Sequence, residues 1–409
     1  MLTLLGVVAF VVALLLSVML HEAGHFLTAR RYGMKATKFF VGFGPTLFSR
    51  QRGETEYGVK AIPAGGYVKI VGMTPLEEVE PGDEDRVFYK HPWRQRTVVL
   101  AAGSTVHFVL AVLITLLAVL AIGAITETSP RLASVAQCVA DDPAPGAAAA
   151  APTGCAAAGS RPAPAIAAGV RRGDVVVSAD GRPVRSSDDL TAALRGNANR
   201  PVTLTVRRDG ASRQLTVVPA PVLRLSADGK DRAPAGTIGV SVQRRIVTQH
   251  VGPVEGLRQS GDLLWLNVKG IGTVVTDKLG SITRLYSKDR DPAGFVGVVG
   301  VGRISGEVVN SDETVGVKIF TFLSVIAGLN LFVGVFNLLP LLPLDGGHIA
   351  VVWFESVRDR IRRARGYAGP LQRVDYNKLL PLTYAVALAF AFLTLFIAGA
   401  DIVNPIRLT

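Results

Sequence analysis

The run from Met1 to about Leu20 is apolar except for Thr3 and Ser17, and it leads directly into His21-Glu22-Ala23-Gly24-His25. As a helix, such a run is long enough to span a hydrocarbon layer about 30 Å thick. Ionisable groups in an apolar run cost roughly 2.5–3.5 kcal/mol each on insertion, so they are usually functional. Residues four apart share a helix face, so His21 and His25 can offer two imidazole nitrogens to one metal, with Glu22 beside them. Zinc suits this set, and a catalytic zinc needs a third protein ligand and an open position for water. Water on zinc has a pKa near ~7, and a neighbouring carboxylate can take its proton. The HExxH pattern alone recurs by chance, and the bland reading is a helix end whose His and Glu meet lipid headgroups. Its placement in the apolar run favours the metal.

Charge then sets a topology. Arg30, Arg31, Lys35 and Lys38 follow the first run and place that end in the cytoplasm, with the N-terminus outside. A secretory signal peptide would begin with a basic region, and Met1-Leu-Thr-Leu has none. Further spans are expected at about 98–125, 319–342 and 379–400, the second interrupted by His107, read as a bundle-facing polar group and not a ligand. The third ends in Asn337-Leu-Leu-Pro-Leu-Leu-Pro-Leu-Asp-Gly-Gly-His348, which brings Asp345 to the bilayer level of His21 and His25. The next loop carries Arg358, Arg360, Arg362, Arg363 and Arg365, again positive inside. A hydrophobic content of 49%, a charged content of 19% and a mean hydropathy of +0.36 fit a membrane protein with sizeable outer parts. The net charge of +12 lies largely in loops flanking the spans, and no zinc-knuckle or aromatic-rich RNA-binding pattern accompanies it, so nucleic acid is not an expected partner.

Between the spans the chain changes character. Glu56 to Gly72 reads as two short strands around Pro63, Gly65 and Gly66, a hairpin of about 56–72 associated with the membrane. Open edges are tolerated at membrane depth only where they line a protein-walled cavity, and such an edge can pair with an extended peptide. A cytoplasmic surface hairpin is the bland alternative. From Ala165 to Val218, alternating β-branched residues and the turns Asp180-Gly181 and Asp209-Gly210 predict strands around a helix at 187–194. This stretch resembles the PDZ domains of bacterial proteases. Leu263 to Tyr286 predicts a helix along the outer membrane surface. The Gly-rich 295–303 stretch lacks the GK[ST] ending of a phosphate loop.

Taken in order, HExxH, Gly-Phe-Gly-Pro, Gly-Gly-Tyr-Val-Lys, the PDZ-like stretch and Asn-xx-Pro-xx-Pro-Leu-Asp-Gly-Gly-His resemble the site-2 protease family of intramembrane zinc metalloproteases. Within it, the chain is most similar to the actinobacterial type with one PDZ domain that acts on anti-sigma factors. The resemblance implies that His21, His25 and Asp345 hold one catalytic Zn2+, that Glu22 is the general base, and that Asn337 helps stabilise the oxyanion. Asn330, Gly65, Gly66, Tyr67 and Val68 are expected to contact substrate. It implies an α-helical polytopic protein of the bacterial plasma membrane with a membrane-associated β-hairpin and an extracytoplasmic α+β PDZ domain. The expected order is residues 1–97 with the first span and hairpin, the second span at 98–125, and the PDZ domain at 126–225 with a Cys-containing insertion at 138–164. A linker with an interfacial helix follows at 226–317, then the third span with its Leu-Asp-Gly motif at 318–345. A basic cytoplasmic loop at 346–378 and the fourth span and tail at 379–409 complete it.

The expected substrates are transmembrane segments such as those of anti-sigma factors, first trimmed by a site-1 protease. The PDZ domain would act as substrate filter or peptide binder. A non-enzymatic PDZ adaptor would need neither zinc nor a cleavable membrane peptide, and a metal transporter would need more buried acidic or His residues across the spans. Cys138 and Cys155, the two cysteines, fall outside the membrane in this topology, where disulfides persist. A bridge closing that loop contributes about 3 kcal/mol by chain entropy.

Overall fold

The computed structural model describes residues 2–73, 79–142, 155, 160–225, 232–243, 246–276, 279–287, 290, 294–369 and 372–406. It forms two compact units, Met1–Ala124 with His250–Thr409, and Ile125–Gln249. The first opens with α1 (Leu2–Arg31), whose buried residues Gly6, Phe10, Ser17, His21 and Gly24 recur along one stripe. The antiparallel pair β1 (Ala36–Arg52) and β2 (Thr55–Ile70) follows. Lys38–Val41 of β1 pairs on one side with Gly66–Lys69 and on the other with Glu56–Val59. This corrects the sequence reading: the two arms around Pro63 and Gly66 do not pair with each other, because β1 lies between them. Then comes α2 (Trp93–Leu117), extended by a wider turn at Ala118–Ile122.

The second unit begins within β3 (Ala124–Glu127) and contains β4 (Arg131–Val135), β5 (Cys138–Val139), β6 (Arg161–Pro162), α3 (Pro164–Ala167), β7 (Val175–Ala179) and β8 (Arg182–Pro183). It continues with α4 (Ser187–Arg195), β9 (Val202–Arg208), β10 (Ala211–Val217), β11 (Ala220–Leu225), β12 (Arg232–Thr237), β13 (Val240–Gln243) and β14 (Ile246–Gln249). The main sheet runs β10-β9-β7-β4-β13, with β8 beside β7. Its core holds Leu132, Val176, Leu190, Leu204, Val206 and Ile238, all nearly solvent-free. Ser186 and Asp189 form a capping box that starts α4. Asp180 and Asp209 take positive φ, 48° and 49°, before glycines, as tight turns between twisted strands require. The unit reaches Gln249, beyond the expected 126–225, because β13 pairs β4, β12 pairs β11 and β14 pairs β3. Cys138 and Cys155 are disulfide-bonded, with Cα atoms 5.5 Å apart. Residues 143–154 and 156–159 of the expected 138–164 insertion lie outside the described residues.

The chain returns to the first unit through α5 (Pro253–Thr276) and α6 (Val298–Asn310), then α7 (Val315–Asn337), α8 (Asp345–Ala364) and α9 (Tyr376–Val403). Among the described residues, four helices are long and apolar enough to cross a membrane: Leu2–Arg31, Trp93–Ile122, Val315–Asn337 and Tyr376–Val403. The expected third span at 318–345 is corrected: α7 stops at Asn337, and Asp345 opens a separate helix that occupies much of the expected 346–378 loop. Pro340 and Pro343 cannot continue α7, since proline lacks the N–H and its ring clashes with the preceding turn. At the end of α9, Asp401 is buried against Arg290 at 2.7 Å and accepts from the N–H groups of Gly297 and Gly300.

In the second unit, Asp174 is wholly buried and accepts from Arg208 Nε and Nη2, both at 2.7 Å, and from the Arg171 N–H at 2.9 Å. Burial alone would raise its carboxyl, yet these donors hold it below the ordinary carboxylate value. The contribution is therefore fully present above the unfolded-chain value near 3.9 and fades as pH falls through the lower folded one. Charge-assisted hydrogen bonds contribute about 1.5–3 kcal/mol, so Asp174→Asn is expected to cut amide protection in β7 and β9 roughly tenfold or more at neutral pH. That difference from wild type should shrink below about pH 4, read by hydrogen exchange across a pH series.

Candidate metal centre

Three elements from distant parts of the sequence converge. α1 presents His21 and His25 on its buried stripe, 7% and 6% exposed. The two Nε2 atoms lie 3.1 Å apart, and Asp345 Oδ2, from the first turn of α8, is 3.5 Å and 3.4 Å from them. Ligand atoms placed tetrahedrally at ~2.0–2.2 Å from one zinc are about 3.3–3.6 Å apart, so this triangle is close to the size of a zinc site. No other group of three such ligands close enough to share an ion is found among the described residues.

Hydrogen bonding supports the fit. His25 Nδ1–H donates to the Val99 carbonyl at 2.7 Å, which leaves Nε2 with its lone pair facing the triangle. Asp345 Oδ2, which faces both Nε2 atoms, is buried without a hydrogen-bond partner. A buried carboxylate oxygen with no hydrogen bond of its own, set beside two imidazole nitrogens, is unfavourable until a cation sits among them. The residues present therefore fit Zn2+, which His21, His25 and Asp345 would hold. Glu22, next to His21 on the helix, faces the backbone N–H of Val68. A Cβ on Gly66 would meet Glu22 Cγ at 3.4 Å, so the Gly66–Val68 arm of β2 passes beside that carboxylate.

Of the expected substrate contacts, Gly66 and Val68 are thus brought beside Glu22. Gly65, at φ 133°, forms the bend before them, and the Tyr67 ring stacks on Phe40 at 5.7 Å. Asn330 takes a different place: its Nδ2 donates to Ser17 Oγ at 3.1 Å and to the Ile326 carbonyl at 2.9 Å. Its Oδ1 accepts from His107 Nδ1 at 2.8 Å. Buried at 1% exposure, Asn330 braces the centre from α7. Asn337 ends α7 half-buried, with no side-chain hydrogen bond among the described residues.

The sequence reading left two residues of α2 out of the site. His107 is 2% exposed, and its ring lies 4.9 Å from that of His21. Gly103 faces the ligand pair: a Cβ there would press on His25 Nε2 and His21 Cε1 and stand 2.7 Å from His21 Nδ1. Positions 99, 103 and 107 share one helix face, a periodicity that is visible only once the partner of that face is known.

The match to the Peptidase family M50 model covers residues 9–372. The chain is 40% identical to the zinc metalloprotease Rip1 of Mycobacterium tuberculosis over 98% of each chain. It is 36% identical to Rip1 of Mycolicibacterium smegmatis over 99% of this chain and 98% of that one. It is 28% identical to the metalloprotease MmpA of Caulobacter vibrioides over 88% and 89%.

Overpacking a close-packed site costs about 1–3 kcal/mol, so Gly103→Ala is expected to weaken zinc binding roughly five- to hundredfold. Chelator competition on the detergent-solubilised protein measures it, and unchanged affinity would show that the ligand pair does not depend on that contact.

Proposed function

Because the chain belongs to peptidase family M50 and is a zinc metalloprotease, we propose that it cleaves peptide bonds within transmembrane segments of single-span proteins. Anti-sigma factors are the proposed substrates, cut in regulated intramembrane proteolysis after a site-1 protease has trimmed them. One observation carries this reading: the histidine pair and Glu22 sit on α1, a helix long enough to span a membrane, beside a β-arm at Gly66–Val68. A protease for soluble substrates has no need of ligands at that depth.

The proposed chemistry assigns each residue a task. His21, His25 and Asp345 hold the metal. Zinc, when bound, supplies Lewis acidity to the scissile carbonyl and lowers the pKa of water. Glu22 takes a proton from the attacking water and returns it to the leaving amide nitrogen. Asn337 donates to the developing oxyanion as the substrate enters. A helical substrate hides its carbonyls in internal hydrogen bonds, so it must unwind, and the Gly66–Val68 arm holds the extended strand by edge pairing. The unit at Ile125–Gln249 is the PDZ domain of this reading, placed outside the membrane as a filter that excludes bulky outer domains. The N-terminus lies outside in the same topology, across a bacterial plasma membrane.

General-base catalysis contributes roughly 10²–10⁴-fold, so Glu22→Ala is expected to retain zinc and lose that much cleavage of a co-expressed anti-sigma segment. Asp345→Ala should instead lose the metal. Appreciable turnover by the Glu22 variant, or wild-type zinc content in the Asp345 variant, would count against these roles. Removing the Ile125–Gln249 unit should spare cleavage of a substrate that has no outer domain. Loss of that cleavage in a variant that still binds zinc would refute the filter.

A further inference from the structure

Asp345 is the most remote of the three ligands in sequence, and its position depends on how α8 lies against α2. The first turn of α8 is seated by Gly346 and Gly347, which touch the backbone of Leu338 to Leu342 so closely that a Cβ at Gly347 would stand 2.5 Å from Leu342 N. One seat leaves a helix free to pivot and to roll about its axis. Further along, Val352 packs into the cluster of Val99 and Leu100 on α2. Apolar contact is non-directional, so it resists separation more than rotation.

Two directional contacts join α8 to α2: an exposed one from Trp353 Nε1 to Thr97 Oγ1 at 3.0 Å, and a buried one ten residues after Asp345, about 15 Å along the helix. Arg96 Nη1 of α2 lies 3.1 Å from Glu355 Oε2 of α8, with side chains only 7% and 3% exposed. The other oxygen, Oε1, accepts from the Val374 N–H at 2.9 Å, on the segment leading to α9. Arg96 Nε is buried without a partner, so Glu355 is the sole hydrogen-bond acceptor of this guanidinium among the described residues. On α2, Arg96, Val99 and Gly103 share one face; they meet Glu355, the His25 imidazole and the ligand pair respectively.

We propose that the buried Arg96–Glu355 pair is a positioning device for the third zinc ligand, fixing the roll of α8 so that Asp345 Oδ2 closes the triangle with His21 and His25. The inference rests on these three residues being the zinc ligands. Metal sites tolerate departures of only about 0.2 Å in ligand distance, whereas a one-residue slip of a helix moves a side chain ~1.5 Å along the axis and turns it about 100°. The pair touches neither substrate nor metal and acts only through α8.

The test is zinc affinity of the full chain in detergent, measured by chelator competition alongside amide exchange to report folding. Glu355→Ala and Arg96→Ala are each expected to weaken zinc at least tenfold while the protein remains folded. The exchanged pair, Arg96→Glu with Glu355→Arg, should recover most of that loss. Asp401→Asn breaks the comparably buried Arg290–Asp401 pair and should leave zinc affinity unchanged. Should the single variants fail to fold, Arg96→Met with Glu355→Leu removes both charges at once, a change buried pairs often tolerate, and weaker zinc is expected there too. Wild-type zinc affinity in folded Glu355→Ala or in the Met/Leu double variant overturns the proposal, as does an equal loss in Asp401→Asn. Wild-type affinity in Asp345→Ala would instead overturn the ligand assignment itself.

Discussion

The hydrogen bond from His25 Nδ1 to the Val99 carbonyl is the contact on which the metal centre depends. It fixes the imidazole tautomer and orientation, as a metal-bound histidine requires of its second nitrogen. It also recruits a carbonyl that already belongs to a helix, using the second lone pair that backbone oxygens retain. That carbonyl is reachable because Gly103, four residues on, presents no side chain over it: a Cβ there would occupy the space of the His25 and His21 rings. A single glycine thus sets how close α1 and α2 approach, and that approach sets where the imidazoles stand.

The candidate ligand pair is legible in the sequence for a local reason: His21 and His25 obey helix periodicity within an apolar run, and the structure brings Asp345 beside them. The supports were not readable, because each has meaning only through a distant partner. Gly103 is one of 43 glycines, and His107 looked like a polar interruption until Asn330 and the His21 ring stood on either side of it. Asn330 itself was expected to meet substrate. Its three hydrogen-bonding groups are instead directed at Ser17, His107 and the Ile326 carbonyl, which leaves it a bracing part.

The strand-rich unit shows the same division. Asp180-Gly181 and Asp209-Gly210 announce their turns because tight hairpins need positive φ, and α4 announces its start through Ser186 and Asp189. Its C-terminal limit was missed because the evidence for it is non-local: Val242 pairs with Leu132, and Ala235 with Val222. The β1–β2 pair repeats the lesson on a smaller scale. Pro63 and Gly66 do mark a change of direction, but nothing local says that Lys38–Val41 will lie between the two arms.

The start of α8 joins these threads. The Pro340–Pro343 stretch separates Asp345 from α7, so the carboxylate comes not from within a span but from the N-terminus of a new helix. Free backbone N–H groups and the helix dipole favour an anionic side chain there by about 0.3–1 kcal/mol at exposed sites, which helps keep the ligand ionised. Gly346 and Gly347 then let that turn press against the end of α7. Because α1 supplies two candidate ligands, α8 the third and α2 the contacts that orient the pair, no single hairpin of the chain contains the site. It exists only when the three helices are assembled, so a metal held by His21, His25 and Asp345 would be coupled to assembly of the unit that contains them.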